Sequence, residues 1–435
     1  MTTATTTTTL ETSVYPSFDA DAFAALAAAG HVGPDADTAG AKRQAAFDAY
    51  CAIDAPTATT EEYRRTPPRL LKLGEFERLP DVEWGCRTDT HDWDDAFDIV
   101  VTVNGHRAGI SGTAPGVSVT PLAETDAGIL AEYLNGAASP EVPRKMRELN
   151  NAFWNVGLCV HVAKGVKLER GILVRYHVPA AGALLPRLLV VAEENSEFTM
   201  AEVFSSGDEP VQCISNRELY AAAGANVRLV SLQDWGEKAI HIGEDWALAK
   251  RDATVNICTL TLGGKTSKMA TGCDVCEPGA NAYMGGLYFA RGRQHFDQMT
   301  LQRHSAPNTY SNMLYKGAAK KKGYSVYQGI IQATHGSIGV DAYQTNNNLI
   351  LDNDSRADSL PGLIINADEL ACSHGATMGN LDEEQVYYLR SRGIDELTAR
   401  KMMVIGFFDE IVEERIPYEP IRDHLHDVIE RKLAE

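Results

Sequence analysis

Residues 161–376 constrain the fold most, because they show almost no helical periodicity and they turn at a near-constant interval. Short apolar runs such as GILVRYHV, PRLLVVAEE, VRLVSLQDW and VNICTLTLGG are broken by Gly, Asp, Asn and Pro, the pattern of short strands between turns. Corner-like positions fall at Ser196, Gly224, Asp252, Gly279, Pro307 and Gly336, at intervals of 28, 28, 27, 28 and 29 residues. A period of that length in an all-β stretch marks a solenoid, whose turns bury their inner faces only by stacking. An immunoglobulin-like sandwich would turn every 8–12 residues or so, with no longer period. The expected class is therefore mainly β, a parallel β-helix whose end rungs are capped by flanking helical segments.

Four regions follow from the pattern. Residues 1–96 form an N-terminal helical region, with SFDADAFAALAAAG and AKRQAAFDAYCAI at helical spacing and Asp19 or Asp21 as a cap. Its opening, MTTATTTTTLETS, has neither a basic stretch nor an apolar one and reads as a disordered tip and not a secretory signal. Residues 97–160 are an α/β lead-in: DIVVTVNGHRAGI reads as two strands about an Asn-Gly turn, and a helical interlude spans about 124–155. The β-helix occupies 161–376, and 377–435 is a C-terminal helical domain. There Asp382 caps one helix, Gly393 stops it, and Asp395 starts another that carries Leu397, Met402, Ile405 and Ile411.

Composition removes several classes of function. A net charge of −19 argues against a general nucleic-acid or anionic-membrane binder, which needs clustered Lys and Arg. No apolar run reaches the roughly 18 residues of a membrane helix. The eight cysteines are scattered, which suits reduced thiols and a cytoplasmic setting better than a disulfide framework. Cys273 and Cys276 form the only CxxC and read as core or turn residues, since no second pair completes a metal site. The run Gly263-Gly264-Lys265-Thr266 lacks the first Gly of a P-loop, so ATP hydrolysis is not expected of this chain.

The sharpest chemistry sits at Cys372-Ser373-His374-Gly375-Ala376-Thr377, where a thiol and an imidazole two residues apart on a strand share a face. Imidazole binds iron and thiolate is the usual ligand of iron–sulfur clusters. A hydrogen-bonded core histidine and a core cysteine are the plain alternatives. His295 and His304 flank a run whose spacing fits neither a helix face nor a metal pair, and Lys320-Lys321-Lys322 reads as a solvated turn.

The segment ADELACSHGATMGNLDEEQVYYLRSRGI resembles the SufB/SufD family, the scaffold proteins of the SUF iron–sulfur cluster assembly system. Pro56-Thr57 with Glu61-Glu62-Tyr63-Arg64 and Thr66 is similar to that family's N-terminal P-T…E-E-W-R-x-T signature, with Tyr63 in place of the usual Trp. Within the family the chain resembles the SufD branch: SufB-type chains carry E-H-E-A-T where this one has CSHGAT, and a Cys where this one has Ser355.

The resemblance implies a right-handed β-helix between helical domains and a non-enzymatic role. It implies pairing with a SufB-like subunit through the β-helix, with a homodimer open to the isolated chain, and docking of a SufC-like ABC-type ATPase on the C-terminal helices, where Met402, Met403, Ile405, Phe407 and Phe408 lie close together. His374 would be a metal ligand, with Cys372 beside it, at a site for transient iron or a nascent cluster shared with SufB, and no cofactor would be held permanently. A SufB-type scaffold and a β-helix enzyme acting on polysaccharide are the alternatives; no carboxylate constellation supports the latter. Deletion of 382–435 is expected to abolish ATPase docking and leave the β-helix folded.

Overall fold

The computed structural model describes residues 14–28, 38–86, 91–137 and 144–434. The expected disordered tip, Met1 to Ser13, lies outside them.

Two ten-stranded sheets lie face to face as a β-solenoid of about eight turns. Sheet 1 begins with the antiparallel hairpin Ile99–Asn104 and Arg107–Gly112. It then runs in parallel through Ile172–Val178, Glu197–Ser206, Asn226–Asp234, Thr254–Thr261, Asn281–Arg291, Tyr310–Lys320 and Asp341–Ile350 to Ala371–Gly379. Sheet 2 begins with Val117–Pro121 antiparallel to Val156–Val162. It continues through Pro186–Ala192, Val211–Ala221, Ile240–Ala249, Thr266–Val275, His295–His304 and Tyr324–Ala333 to Arg356–Ile365, with Gly182–Leu184 alongside. Both sheets thus take strands from the lead-in.

The 28-residue period has a physical origin. Every one of the six marked corners joins a sheet 2 strand to the next sheet 1 strand. Register is kept without slip, Asn226 standing on Thr254, Thr254 on Asn281 and Asn281 on Tyr310. Left-handed backbone recurs there at Asn195, Gly224, Asp252, Gly279 and Asn308, with φ between 53° and 79°. A Cβ on Gly224 would meet Asn195 Oδ1 at 2.4 Å, so stacking itself demands glycine at that corner.

The lumen changes character along its axis. Near the start it is Ile172, Val174, Leu188, Val190 and Leu229, all fully buried. Toward the end it turns polar: Asn346 Nδ2 donates to Tyr288 Oη at 2.9 Å, Tyr288 Oη to Asn348 Oδ1 at 2.7 Å, and Ser359 Oγ to Asn346 Oδ1 at 2.7 Å.

The helices do not cap the ends, contrary to the expectation from sequence. Seven are described: α1 (Ala20–Ala28), α2 (Thr38–Ala52), α3 (Ala127–Tyr133), α4 (Arg144–Phe153), α5 (Glu383–Ser391), α6 (Glu396–Arg415) and α7 (Glu419–Ala434). Asp19, Asp382 and Asp395 accept backbone N–H groups in the first turns of α1, α5 and α6. Both sheets are apolar on their outer faces as well, and those faces are what the helices cover. Phe23, Phe47 and Phe153 from α1, α2 and α4 join Ile214, Ile240 and Ile242 of sheet 2. Val404, Phe408, Ile411 and Leu425 from α6 and α7 pack on Leu232, Leu260, Leu287 and Phe289 of sheet 1. Each such side chain contributes about 1.5–3 kcal/mol by leaving water. Removing 382–435 would therefore strip an apolar sheet face and not leave an independent solenoid.

The first end finishes in the antiparallel strands Arg107–Gly112 and Val117–Pro121, each paired to one strand of its sheet, and residues 83–86 cover the outer edge of the former through backbone bonds to His106 and Ala108. At the other end Arg356–Ile365 and Ala371–Gly379 have a strand on one side only. That rung is open.

Candidate functional site at the open rung

Cys372 and His374 lie on the last strand of sheet 1, where Cys372 stands on Ala342 and His374 on Gln344. Ala342 and Gln344 are 2% and 0% exposed and face the lumen, so alternation turns Cys372 and His374 to the lumen side too. Their differing exposure follows from position. Cys372 packs partly against Ile331, Val340 and Ala342, whereas His374, with no further rung above it, is exposed. The choice between core residue and accessible donor thus resolves separately for each: Cys372 is half-buried and His374 is open to solvent. Burial, and then the nearby Asp341, hold the Cys372 thiol above its usual pKa, which keeps it protonated at neutral pH.

Beneath His374, Gln344 is a polar side chain with no hydrogen-bond partner at either amide atom. Room for it comes from Gly329, where a Cβ would meet Gln344 Nε2 at 2.2 Å and Tyr327 Oη at 2.4 Å. Around the rung Leu363, Ile364, Ile365 and Met378 are between 37% and 53% exposed. Unpaired backbone and apolar side chains occur together there, which in a soluble fold marks a pairing edge.

The other sequence candidates are structural. Thr66 Oγ1 lies 2.8 Å from His295 Nε2, and burial lowers that imidazole's pKa. His304 is held by Thr309 Oγ1 and Ser311 Oγ at 2.7 and 2.8 Å, and burial pushes it down to about 4. Cys273 is in the lumen core, and Cys276 Sγ donates to the Ala249 carbonyl, with burial raising its pKa to about 11. Ser355 Oγ donates to Asp352 Oδ1 inside a corner turn.

Sequence reasoning missed the buried ion networks. Inside the lumen Arg217 bridges Glu202 and Asp245, and burial raises Glu202 to about 7 despite that cation. Between domains, Lys268 Nζ binds Asp297 and the Glu62 carbonyl at 2.7 Å each, Thr66 Oγ1 donates to the same Asp297, and Arg147 faces Glu244 at 3.5 Å. Thus the P-T…E-E-Y-R-x-T stretch pins the N-terminal region to sheet 2. Within it the only helical element is a single 3-10 turn, Glu61–Tyr63. The signal was present in charged residues set inside otherwise apolar strands, as in AEVF, NRELY and IGEDW.

Among the described residues no group of three or more His, Cys, Asp or Glu is placed to hold a metal, and no helix is long and apolar enough to cross a membrane. Fold and site together define a two-sheet β-solenoid, helix-covered on both faces, that ends in an open rung bearing one accessible imidazole.

Residues 176–407, more than half of the chain, match the SufBD core domain of SUF-system FeS cluster assembly, and the chain belongs to that family. It is 36% identical over 274 residues to an iron–sulfur cluster assembly SufBD family protein of Mycobacterium leprae, covering 61% of this chain and 66% of that one. It is 35% identical over 226 residues to one from Mycobacterium tuberculosis (50% and 57% covered), and 28% identical over 281 residues to the iron–sulfur cluster assembly protein SufB of Bacillus subtilis (63% and 60% covered). The chain thus spans under two thirds of the length of these relatives.

Proposed function

We propose that this chain is a SufD-like scaffold subunit that pairs through its open rung with a SufB-type chain and presents His374 to iron or a nascent cluster, with Cys372 beside it. The observation that carries this reading is the coincidence of His374 with two unpaired sheet edges on one rung. One imidazole and one protonated thiol are too few donors for an iron site, so the remaining ligands come from a second chain seated on that edge. CSHGAT in place of the acidic E-H-E-A-T of SufB-type chains, and Ser355 in place of their Cys, favour the SufD branch and leave most of the ligation to the partner.

The α5–α6 pair is the docking face for a SufC-like ABC-type ATPase. Val404 and Phe408 of α6 are spent on sheet 1, yet Tyr387, Tyr388, Leu397 and Met402 remain exposed, Tyr387 at 72%. Hydrolysis belongs to that partner, and the setting is the cytoplasm, which suits eight free cysteines. Iron and cluster are cargo, so no cofactor is held permanently, and the isolated chain has a homodimer open to it through the same edge.

The test is anaerobic co-purification of Ile364→Lys/Met378→Lys with a SufB-type chain. The variant should melt near wild type, because both positions are exposed, and should lose the partner. Undiminished pairing would put the interface elsewhere.

A further inference from the structure

The corners that lead from sheet 1 to sheet 2 carry a charge pattern at odds with the rest of the molecule. Successive rungs place there Lys238, then Lys265, then Arg291 and Arg293, then Lys320-Lys321-Lys322. The column is continuous: Gly292 donates its N–H to the Lys320 carbonyl, and His295 to the Lys265 carbonyl. The last turn of α7 lies alongside and adds Arg431 and Lys432, closing a recess of about 700 Å³. Six basic side chains line it against two acids, in a chain whose net charge is −19. Both acids are engaged, Asp234 with His424 at 2.8 Å and Glu237 with Arg291 at 3.7 Å. Among the described residues no carboxylate lies within ion-pair distance of Lys238, Lys265, Arg293 or Arg431.

A second observation concerns the backbone. Arg291 stands on Lys320, so Gly292 of one rung corresponds to Lys321 of the next. Gly292 has φ 66°, which glycine adopts freely, whereas Lys321 and Lys322 hold φ 52° and 71° against the steric preference of a side chain. Two successive lysines thus occupy a left-handed turn that costs them conformational energy, on the corner next to the recess and not in its lining.

We propose that this recess binds an oligophosphate, that is, two or three linked phosphates of a small molecule. Neighbouring rungs lie about 4.8 Å apart, so a short phosphate chain reaches cations on adjacent rungs at once while α7 closes over it. The recess is bounded and of ligand size, which suits a small molecule better than an extended acidic peptide. The site lies on a corner of the solenoid, away from the open rung, and does not rest on the cluster-assembly reading.

The experiment titrates inorganic triphosphate into the full chain by calorimetry, at low and at moderate salt. Triphosphate should bind, more weakly as salt rises, and orthophosphate should bind at least about tenfold less tightly, each tenfold being about 1.4 kcal/mol. Lys238→Gln/Lys265→Gln/Arg293→Gln should lose at least about tenfold in triphosphate affinity. The control Lys164→Gln/Lys167→Gln, on the opposite corner, should lose nothing. Thermal melts of each variant check the fold, and if the triple variant melts early the single Lys265→Gln carries the comparison, with a loss of about threefold expected. Absence of binding, equal affinity for orthophosphate, equal loss in the control, or equal binding of hexaglutamate would each overturn the proposal.

Discussion

His374 and Gln344 show how a residue's role follows from its rung. Both face the lumen of the same sheet, yet the first is exposed and the second sealed, because one more turn of chain lies over Gln344. Gly329→Ala would drive a methyl into Gln344 and Tyr327, so unfolding in urea should show a loss of about 1–3 kcal/mol. A second residue-scale prediction concerns Glu244, whose ordinary pKa of 4.5 burial raises to about 7 despite Arg147. A carboxyl raised in the folded state gives stability that is full below about pH 4.5 and is lost as pH climbs through about 7. Glu244→Gln mimics the protonated form and does not share that loss. The stability of wild type relative to this variant should therefore fall between pH 5 and pH 8, by roughly 2–3 kcal/mol. A difference that does not change with pH would show Glu244 ionised throughout. At this scale the sequence made the pair Cys372 and His374 legible, since alternation on a strand is local. Which of the two is accessible was not legible, because that depends on where the solenoid stops stacking.

At the scale of elements, the caps were readable and the packing was not. Asp382, Gly393 and Asp395 delimit α5 and α6 as their chemistry requires, with Gly393 at φ 92°. The corner positions were readable too, because the left-handed residues that stacking demands recur with the rung. What α6 covers was hidden: the spacing of its apolar residues says that a face is buried but not against what. Leu397 and Met402, placed in that apolar set from spacing, are exposed, while Val404, Phe408, Ile411 and Val412 go to the sheet. Phe408→Ala should cost about 3–5 kcal/mol, read as a shift in the denaturation midpoint. Met402→Glu should leave the melting temperature near wild type and weaken capture of the ATPase, whereas undiminished capture would move the docking face off α6.

For the whole molecule, the solenoid ends on its C-terminal side in a rung whose outer edges carry no further strand. The chain spends its helices on the two sheet faces and its antiparallel strands on the first end, so the last rung carries unpaired edges, an apolar rim and a polar lumen mouth. That ending was not legible, since the period of the sequence predicts rungs but is silent on how the last of them is finished. On the proposed reading a second chain would complete that rung beside His374. The most direct measurement compares wild type and His374→Ala in the complex with the SufB-type chain and the ATPase, prepared anaerobically, with iron and acid-labile sulfide quantified per complex and thermal stability recorded alongside. An exposed imidazole contributes at most about 0.5 kcal/mol to folding, so the variant should melt and assemble as wild type does while iron and sulfide fall severalfold. Full iron and sulfide in the His374→Ala complex would contradict the account.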